Sequence, residues 1–343
     1  MPFILLILTI CSGSASFAAE ALPDLPDSLG RGGMAAVTIV DESGHEAILA
    51  IGGSNFPDKQ PWDGGIKKFY GDILLLTRTT GSWHWNKIGE MPETVAYAAF
   101  CPSTDRKSMI LAGGCNATAH LSNTWQINAK GQIKPLASLP TPRAYAGHAV
   151  HQGRLILMGG SSEPDALKTE MAWNDFDLSK PDSAWRTFEA TAPHGILPLC
   201  GSTGDFLFYG SGCLLTGTDG KSTRLYQSKI FSNDFRTAPK QAQLTHPIAA
   251  AAGPGIAVGP TLFFVGGDDG HHYPKPAQDH PGLSSDIIAV TGLQIKVVGQ
   301  WPHPVVTAPL LRLGNDLVTV GGENKPGFRT AKVSSWTIPL EYR

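Results

Sequence analysis

The sequence predicts an all-β protein built from one repeated unit, and composition and one recurring motif are the observations that predict it. The 343 residues include 39 Gly and 26 Pro, which interrupt helices and are spread along the whole chain. Apolar residues make up 42% of the chain, enough for a large core, which excludes bulk disorder. The glycines follow no three-residue period, which excludes collagen. A net charge of −2 gives no electrostatic surface for nucleic acid.

The recurring motif is a run of apolar residues that ends in Gly-Gly, with one decayed copy that ends in Gly-Ser-Gly. A proline-containing turn and a strand of small residues precede the run, and a loop and a strand, often with a Trp, follow it. The six runs occupy residues 47–53, 109–114, 155–160, 206–212, 262–267 and 317–322. A period of about 50 residues with Gly-Gly and Trp is typical of the kelch β-propeller, in which each repeat forms a four-stranded blade.

We therefore expect residues 20–343 to form a single domain, a six-bladed kelch β-propeller. Six blades of about 54 residues account for this length. Stacking the blades in a ring buries the faces that one blade alone would leave exposed. The last repeat has only one strand after its loop, so one outer strand is missing there. Residues 22–29 are expected to supply it, which closes the ring by pairing N- and C-terminal strands.

Residues 1–19 are expected to be a signal peptide. Residues 3–10 are apolar, and small residues that fit a cleavage site follow them. This apolar run is too short to span a bilayer, which needs about 20 residues. The mature protein is therefore expected to be periplasmic or secreted, with no membrane insertion after cleavage. Cys11 makes a lipoprotein the second alternative, although Ile10 is larger than the residue that usually precedes a lipidated cysteine.

Four cysteines follow the signal peptide, namely Cys101, Cys115, Cys200 and Cys213. Hairpin geometry places Cys101 opposite about Ile110, roughly 15 Å from Cys115, which is too far for a disulfide. The second pair of cysteines repeats this spacing. We expect free and mostly buried thiols, unless neighbouring blades bring cysteines together.

Polar side chains are expected at one mouth of the central channel, where the turns before the inner strands and the loops after the glycines emerge together. The turns supply Arg31, Glu93, Arg143, His194, His246 and His303, and the loops supply Asn55, Asn116, Glu163, Asp268, His271, Glu323, Lys325 and Arg329. Most of the turn residues can carry positive charge, which favours an anionic ligand at the axis. A mouth that is polar only because solvent fills it, with no bound ligand, is an equal alternative.

Three of the turns carry histidines that would suit a zinc ion if they converged, namely His194, His246 and His303. Those turns are expected to lie too far apart across the ring, so we predict no metal site. Residues 268–273, followed by Asp279 and His280, form another polar cluster. It lacks firm metal-ligand spacing, so a solvated loop is the preferred interpretation.

The loop at residues 322–330 gives a sharper hypothesis. Pro326 and Gly327 suit the central positions of a type II turn, in which glycine takes the positive φ. Such a turn folds the loop back, so that Glu323 and Arg329 face each other. A carboxylate and a guanidinium at a channel mouth can transfer protons and bind a carboxylate. A purely structural ion pair is an equal alternative.

Two loops carry a resemblance to a known family. The run Gly-Glu-Asn-Lys-Pro-Gly-Phe-Arg-Thr at 322–330 resembles the signature of bacterial sialic acid mutarotases (N-acetylneuraminate epimerases), which are kelch propellers. Residues 52–65, followed by Lys-Lys-Phe-Tyr at 67–70, resemble the cyclically permuted branch of that family. The resemblance covers essentially the whole mature chain. In the ordinary family the Glu loop is mid-chain, whereas here it lies in the last repeat, and ring closure would bring it beside the first.

The resemblance implies an isomerase that opens and recloses the ring of a small acidic sugar, without a cofactor. Glu323 would be the acid/base and Arg329 the ligand of the sugar carboxylate. The remaining expected substrate contacts are Arg31, Asn55, Arg143, His194 and Lys325. Val95-Ala96-Tyr97 departs from the Arg-Ala-Tyr of the ordinary family, which removes one carboxylate contact.

The rival hypotheses differ in class. A non-catalytic kelch module would bind glycan or protein through the same mouth. A sialidase is disfavoured because no Ser-x-Asp-x-Gly-x-Thr-Trp box recurs, and a copper oxidase because no convincing Cys–Tyr crosslink and ligand set is present. The sequence leaves open the sugar and the oligomeric state.

Overall fold

The computed structural model describes residues 21–189, 195–218 and 221–343. The expected signal peptide and His194 lie outside them. Within these residues the protein is all-β, as expected, and its sheets have a propeller-like arrangement. Helical structure there is limited to three 3-10 turns at Pro61–Asp63, Ala277–Asp279 and Leu340–Tyr342. No helix in the described ranges combines the length and apolar character needed to cross a membrane.

The first half of the chain forms three four-stranded antiparallel sheets, each starting from an innermost strand. The strands of the first sheet are β1 (Ala35–Val40), β2 (Glu46–Ile51), β5 (Asp72–Thr79) and β6 (Ser82–Glu90), with a small ladder of β3 (Ser54–Asn55) and β4 (Lys68–Phe69) in the loop after β2. The second sheet contains β7 (Ala99–Pro102), β8 (Ser108–Ala112), β9 (Thr124–Asn128) and β10 (Ile133–Leu136). The third contains β11 (Gly147–His151), β12 (Arg154–Met158), β13 (Ala172–Asp177) and β14 (Arg186–Glu189).

The second half forms an eight-stranded sheet and a three-stranded sheet. One parallel bridge between Gly201 and Gly255 joins two antiparallel halves of the larger sheet. Its strands are β15 (Leu199–Thr203), β16 (Phe206–Gly210), β19 (Lys229–Asn233), β20 (Lys240–Gln243), β21 (Ala252–Val258), β22 (Thr261–Val265), β23 (Asp286–Thr291) and β24 (Gln294–Gln300), with a separate hairpin of β17 (Cys213–Thr218) and β18 (Lys221–Tyr226). The last sheet contains β25 (Leu310–Leu313), β26 (Asp316–Val320) and β29 (Val333–Thr337), and the hairpin of β27 (Glu323–Lys325) and β28 (Phe328–Arg329) lies in its loop.

The hydrophobic core lies between neighbouring sheets, because side chains alternate between the two faces of each strand. In β2, Leu49 and Ile51 pack against the second sheet, whereas Ile48 and Ala50 pack against the last sheet. Burying one Leu or Ile side chain contributes about 1.5–3 kcal/mol. Because β1 and β2 supply apolar side chains to both neighbours, the first sheet holds the second and the last sheets together.

The innermost strands form a closed circuit. Each contacts the next one along the chain, in the order β1, β7, β11, β15, β21 and β25, and β25 contacts β1 again. A ring of backbone hydrogen bonds lies just before these strands, at Gly33, Tyr97, Tyr145, Leu197, Ala250 and Thr307. Each N–H donates to the carbonyl of the preceding member at 2.7–3.2 Å, and that of Gly33 donates to Thr307. We call these six residues the mouth ring.

All members of the mouth ring have positive φ, between 52° and 68°. Only Gly33 adopts this conformation freely, and the others carry a backbone strain of about 1–3 kcal/mol each. The bulky Tyr97 and the β-branched Thr307 are the least expected there. The mouth ring is therefore a strained feature that the surrounding sheets hold in place.

The circuit closes without the strand that we expected from residues 22–29, and that part of the prediction is wrong. In the described residues the last sheet has three strands. Leu25 donates one backbone hydrogen bond to Ala331 at 2.8 Å, but no strand forms around it. Pro23 and Pro26 have no N–H to donate, which removes two hydrogen bonds that a ladder with β29 could use.

The four described cysteines are free and buried, as expected. Cys101 pairs in register with Ile110, which is the position that the hairpin argument predicts. Burial raises the pKa of the Cys101 and Cys200 thiols. A raised pKa disfavours the reactive thiolate, so these side chains serve packing.

Candidate active site

Glu323 and Arg329 lie opposite each other in the hairpin of β27 and β28. Gly327 takes φ 84° in the connecting turn, as the Pro-Gly pair predicts, and its N–H donates to Oε2 of Glu323 at 3.0 Å. Oε2 also forms an ion pair with Nη1 of Arg329. The side chain of Glu323 is 15% exposed and that of Arg329 is 5% exposed, so the pair is largely shielded from water.

The loop of the first repeat lies against this hairpin. The rings of Trp62 and Phe328 are 5.7 Å apart, and Arg329 Cζ is 5.5 Å from the centre of the Phe56 ring. A Cβ on Gly327 would come within 2.7 Å of Trp62, so glycine is needed for this close approach. The two loops that carry the family resemblance are therefore in direct contact, although they lie at opposite ends of the chain.

Two consecutive glycines make room for the side chains of the site. A Cβ on Gly32 would lie 2.9 Å from Cδ and Nε of Arg329. A Cβ on Gly33 would lie 2.7 Å from the ring of Tyr97. The Gly32-Gly33 dipeptide thus brings Arg329 and Tyr97 to the same stretch of backbone.

Tyr97 is the titratable member of the mouth ring that lies beside the cations. Its ring centre is 4.6 Å from that of Tyr145 and 5.4 Å from Nζ of Lys67. Burial raises the pKa of Tyr97, but the positive charges of Arg329 and Lys67 and the hydroxyl of Ser54 outweigh it, so the pKa lies below its usual value. This environment makes the phenol a better proton donor than an ordinary tyrosine.

Several buried polar atoms around these loops have no hydrogen-bond partner among the residues that the structure describes. They include Gln60 Oε1, Thr307 Oγ1 and Arg329 Nε. Buried polar atoms in folded proteins are usually paired, so such a group indicates a place where a polar ligand or water binds. These three atoms belong to the first loop, the mouth ring and the last loop, respectively.

Arg31 does not present its charge to the channel mouth. Its guanidinium binds Asp27 at 3.1 Å and Asp72 at 2.7 Å, and it stacks on the ring of Tyr70 at 3.7 Å. Only 6% of the residue is exposed. Arg31 therefore joins the N-terminal segment to the first sheet.

Asn55 is also occupied by the protein itself. Its amide donates to Gly30 O at 2.9 Å and to Asp27 at 3.3 Å, and its carbonyl accepts from the Tyr70 hydroxyl at 2.9 Å. With 1% exposure it fixes the first loop and has no free edge for a substrate.

Arg143 is the third expected contact with internal partners. It donates to the carbonyls of Gly159 and Ala172 at 2.9 and 3.0 Å and to Asn174 Oδ1 at 3.0 Å. It is 2% exposed. A guanidinium buried in this way needs such acceptors, and here they tie the loop of the third sheet together.

The remaining expected residues divide between the site and the surface. Lys325 is half-buried in β27, next to the Glu323–Arg329 pair. His246 and His303 are exposed, and the hypothesis of a three-histidine site cannot be followed to His194, which the structure does not describe. Among the described residues no three His, Cys, Asp or Glu side chains form a metal-binding group.

Sequence reasoning did not select Tyr97 or Lys67 as site residues. In the sequence, Tyr97 is distinctive only because the residue two positions before it is Val95 and not arginine. Its position depends on a mouth ring made by residues more than 200 positions apart, and neither spacing nor composition reveals such a ring. Lys67 lies within the loop that carries the resemblance. The aromatic residues near it in the sequence are the feature that could have indicated a site residue.

Comparison with known proteins bears on the fold. No protein-family model matches the chain, and no curated protein sequence does so. Among 321 similar chains of solved structure is that of YjhT, with a TM-score of 0.67 and 15% sequence identity. The match covers 93% of this chain and 97% of YjhT. At this identity the likeness supports a propeller-like all-β fold and nothing finer.

Proposed function

We propose that the protein is a sugar mutarotase that interconverts the α and β anomers of N-acetylneuraminate or a related nonulosonic acid. The observation that carries the proposal is the shielded Glu323–Arg329 pair in the hairpin of β27 and β28. The resemblance of residues 322–330 and 52–70 to the cyclically permuted mutarotase branch supports the same activity. The contact between these two loops is what a permuted site requires.

Arg329 keeps hydrogen-bonding capacity for a substrate carboxylate. Nη1 is used by Glu323, while Nε is buried and has no partner in the described residues. The Nε–Nη2 edge of a guanidinium can hold a carboxylate through two parallel hydrogen bonds. We therefore assign this edge to the carboxylate of the sugar.

The reaction then follows from the position of the carboxylate. Glu323 removes the proton of the anomeric hydroxyl while the ring oxygen is protonated, and the bond between the anomeric carbon and the ring oxygen breaks. The open-chain ketone rotates, and the ring closes on the other face as Glu323 returns the proton. No redox or metal cofactor enters this scheme.

The proposal includes a six-bladed kelch propeller and export to the periplasm or the cell exterior. The circuit of innermost strands and the mouth ring support this number of blades. Residues 1–19 support export through their apolar run. Lys325 and His194 remain proposed substrate contacts, whereas Arg31, Asn55 and Arg143 are assigned to positioning the loops.

The test is proton NMR of freshly released α-N-acetylneuraminate with and without the protein. We expect faster conversion to the β anomer with the wild-type chain. Glu323→Gln should reduce the protein-dependent rate at least about 100-fold, the usual contribution of general acid–base catalysis, and retain sugar binding.

Asp268→Asn is the matched control. Asp268 forms an isolated backbone β-bridge with Ala249, and Glu323 forms one with Val306. The two carboxylates therefore occupy equivalent places in neighbouring repeats. The control should convert the sugar at nearly the wild-type rate. A wild-type protein that binds N-acetylneuraminate without accelerating its conversion would support the non-catalytic binding module instead.

A further inference from the structure

We propose that Tyr97 is the second acid–base group of the site, donating its phenolic proton to the sugar ring oxygen while Glu323 takes the anomeric proton. This inference rests on the proposed mutarotase function. It assigns a catalytic role to a mouth-ring residue that sequence motifs do not select.

The position of Tyr97 is fixed on several sides. Its N–H donates to Gly33 O at 2.8 Å, and its carbonyl accepts from the N–H of Tyr145 at 3.2 Å. The phenol ring passes over Gly33, where a Cβ would lie only 2.7 Å away. A side chain held by backbone strain and close packing is suited to proton transfer, which depends on fixed geometry.

Tyr97 also lies beside the group that would hold the substrate. Gly32, next to Gly33, contacts the Arg329 side chain, and a Cβ there would lie 2.9 Å from Nε. The side chain that would bind the carboxylate and the Tyr97 ring thus pack against adjacent glycines, so a sugar held by Arg329 would lie beside Tyr97. Glu323 lies on the other side of the guanidinium, at Nη1.

The charges around Tyr97 favour this role. Arg329 and Lys67 lower the pKa of the phenol against the effect of burial. Both cations stabilise the phenolate that forms when the proton leaves. The exposed histidines His246 and His303 have no comparable placement among the described residues.

The step is balanced. Glu323 takes the proton from the anomeric hydroxyl, and a carbonyl forms at the anomeric carbon. The electron pair of the breaking C–O bond moves to the ring oxygen, which takes the proton of Tyr97. Reclosure on the other face returns one proton to the phenolate and one from Glu323 to the new anomeric oxygen, so no co-reactant is needed.

Tyr145 provides a matched comparison. It is the next member of the mouth ring, and its ring centre lies 4.6 Å from that of Tyr97, but its hydroxyl accepts from the thiol of Cys115 at 3.6 Å. Burial raises the pKa of Tyr145, helped by Cys115 and Tyr97. The pKa values of two neighbouring tyrosines with the same backbone conformation are thus shifted in opposite directions.

The experiment measures anomer exchange of N-acetylneuraminate by NMR for the wild type, Tyr97→Phe and Tyr145→Phe, with sugar affinity determined by titration. We expect Tyr97→Phe to lose at least about 100-fold in kcat with less than a threefold change in Kd. Tyr145→Phe should stay within threefold of the wild type in both. A Tyr97→Phe protein with wild-type kcat would overturn the inference and leave the mutarotase proposal intact, whereas an inactive wild type would overturn both.

A second measurement does not depend on the stability of the variant. The protein-dependent rate of the wild type should fall as pH rises through the pKa of Tyr97, below the ordinary value of about 10. Tyrosinate absorbance should show one tyrosine titrating in the same range. A rate that stays constant up to pH 10 would contradict the assignment.

Discussion

At the scale of single residues, the site depends on where a side chain is absent. Gly32 and Gly33 leave the space that Arg329 and Tyr97 fill, and Gly327 leaves the space for Trp62. Charge alone is a poor guide to such a site. Arg31 carries the same type of side chain as Arg329, but its guanidinium is paired with Asp27 and Asp72.

Gly33→Ala should therefore destabilise the protein through crowding as well as through backbone strain. Gly33 has φ 68°, and its new Cβ would lie 2.7 Å from the Tyr97 ring. Gly44 has φ 80° and nothing within 4 Å, so Gly44→Ala carries the strain alone, about 1–2 kcal/mol. We expect Gly33→Ala to lose at least 2 kcal/mol more in urea unfolding, on the order of other overpacked sites. Equal losses in the two variants would contradict the crowding argument.

At the scale of elements, loops are held by buried side chains that reach across a sheet. Arg143 ties the turn before β11 to the carbonyls that flank the loop between β12 and β13. The sequence predicts the loop and the turn but not this connection. An arginine in a turn is equally typical of a structural contact and of a ligand-binding site. The strand runs before Gly-Gly were predictable since apolar alternation and glycine punctuation act locally. The strand that was wrongly predicted at residues 22–29 depended on a long-range pairing that two prolines weaken.

Arg143→Met should lower the free energy of unfolding by about 3 kcal/mol, because two carbonyls and the Asn174 amide lose a charged donor in a buried place. Arg106→Met is the comparison, since its ion pair with Glu46 is half exposed and worth less than about 1 kcal/mol. Urea unfolding of both variants measures the difference. A stable Arg143→Met protein with weakened sugar binding would instead return Arg143 to the substrate site.

At the scale of the whole molecule, ring closure creates the candidate site. The first and last loops meet only because the first and last sheets share a core and the mouth ring is continuous. The Pro326-Gly327 turn allowed the sequence to predict that Glu323 and Arg329 face each other, and ring closure predicted that the first and last loops are neighbours. The place of Tyr97 beside this site could not be predicted, because its neighbours Gly33, Lys67, Tyr145 and Arg329 lie far apart in the chain.

The central channel also makes stability depend on pH. His148 lines a cavity of about 90 Å³ under the mouth ring, 8% exposed, with the Phe100 ring 4.6 Å away. Burial lowers the pKa of His148 to about 4, against an ordinary 6.5. Burial also lowers the pKa of His120 and His151. The unfolded chain therefore binds more protons than the folded one between pH 6.5 and 4, and stability falls as pH falls through this window.

His148→Leu should remove the largest single part of this dependence, because leucine has no proton to bind in either state. We expect the loss of unfolding free energy between pH 7 and pH 4 to shrink by roughly 3 kcal/mol, the value of a shift of this size. Carboxylates with lowered pKa, such as Asp175, weaken folding only near pH 4 and below, so they do not mask the effect at pH 5. Urea unfolding across this range measures it, with His84→Leu on the exposed face of β6 as the control. If His148→Leu and the wild type lose the same amount of stability over this range, burial does not lower the pKa of His148 in the folded protein, and the prediction is wrong.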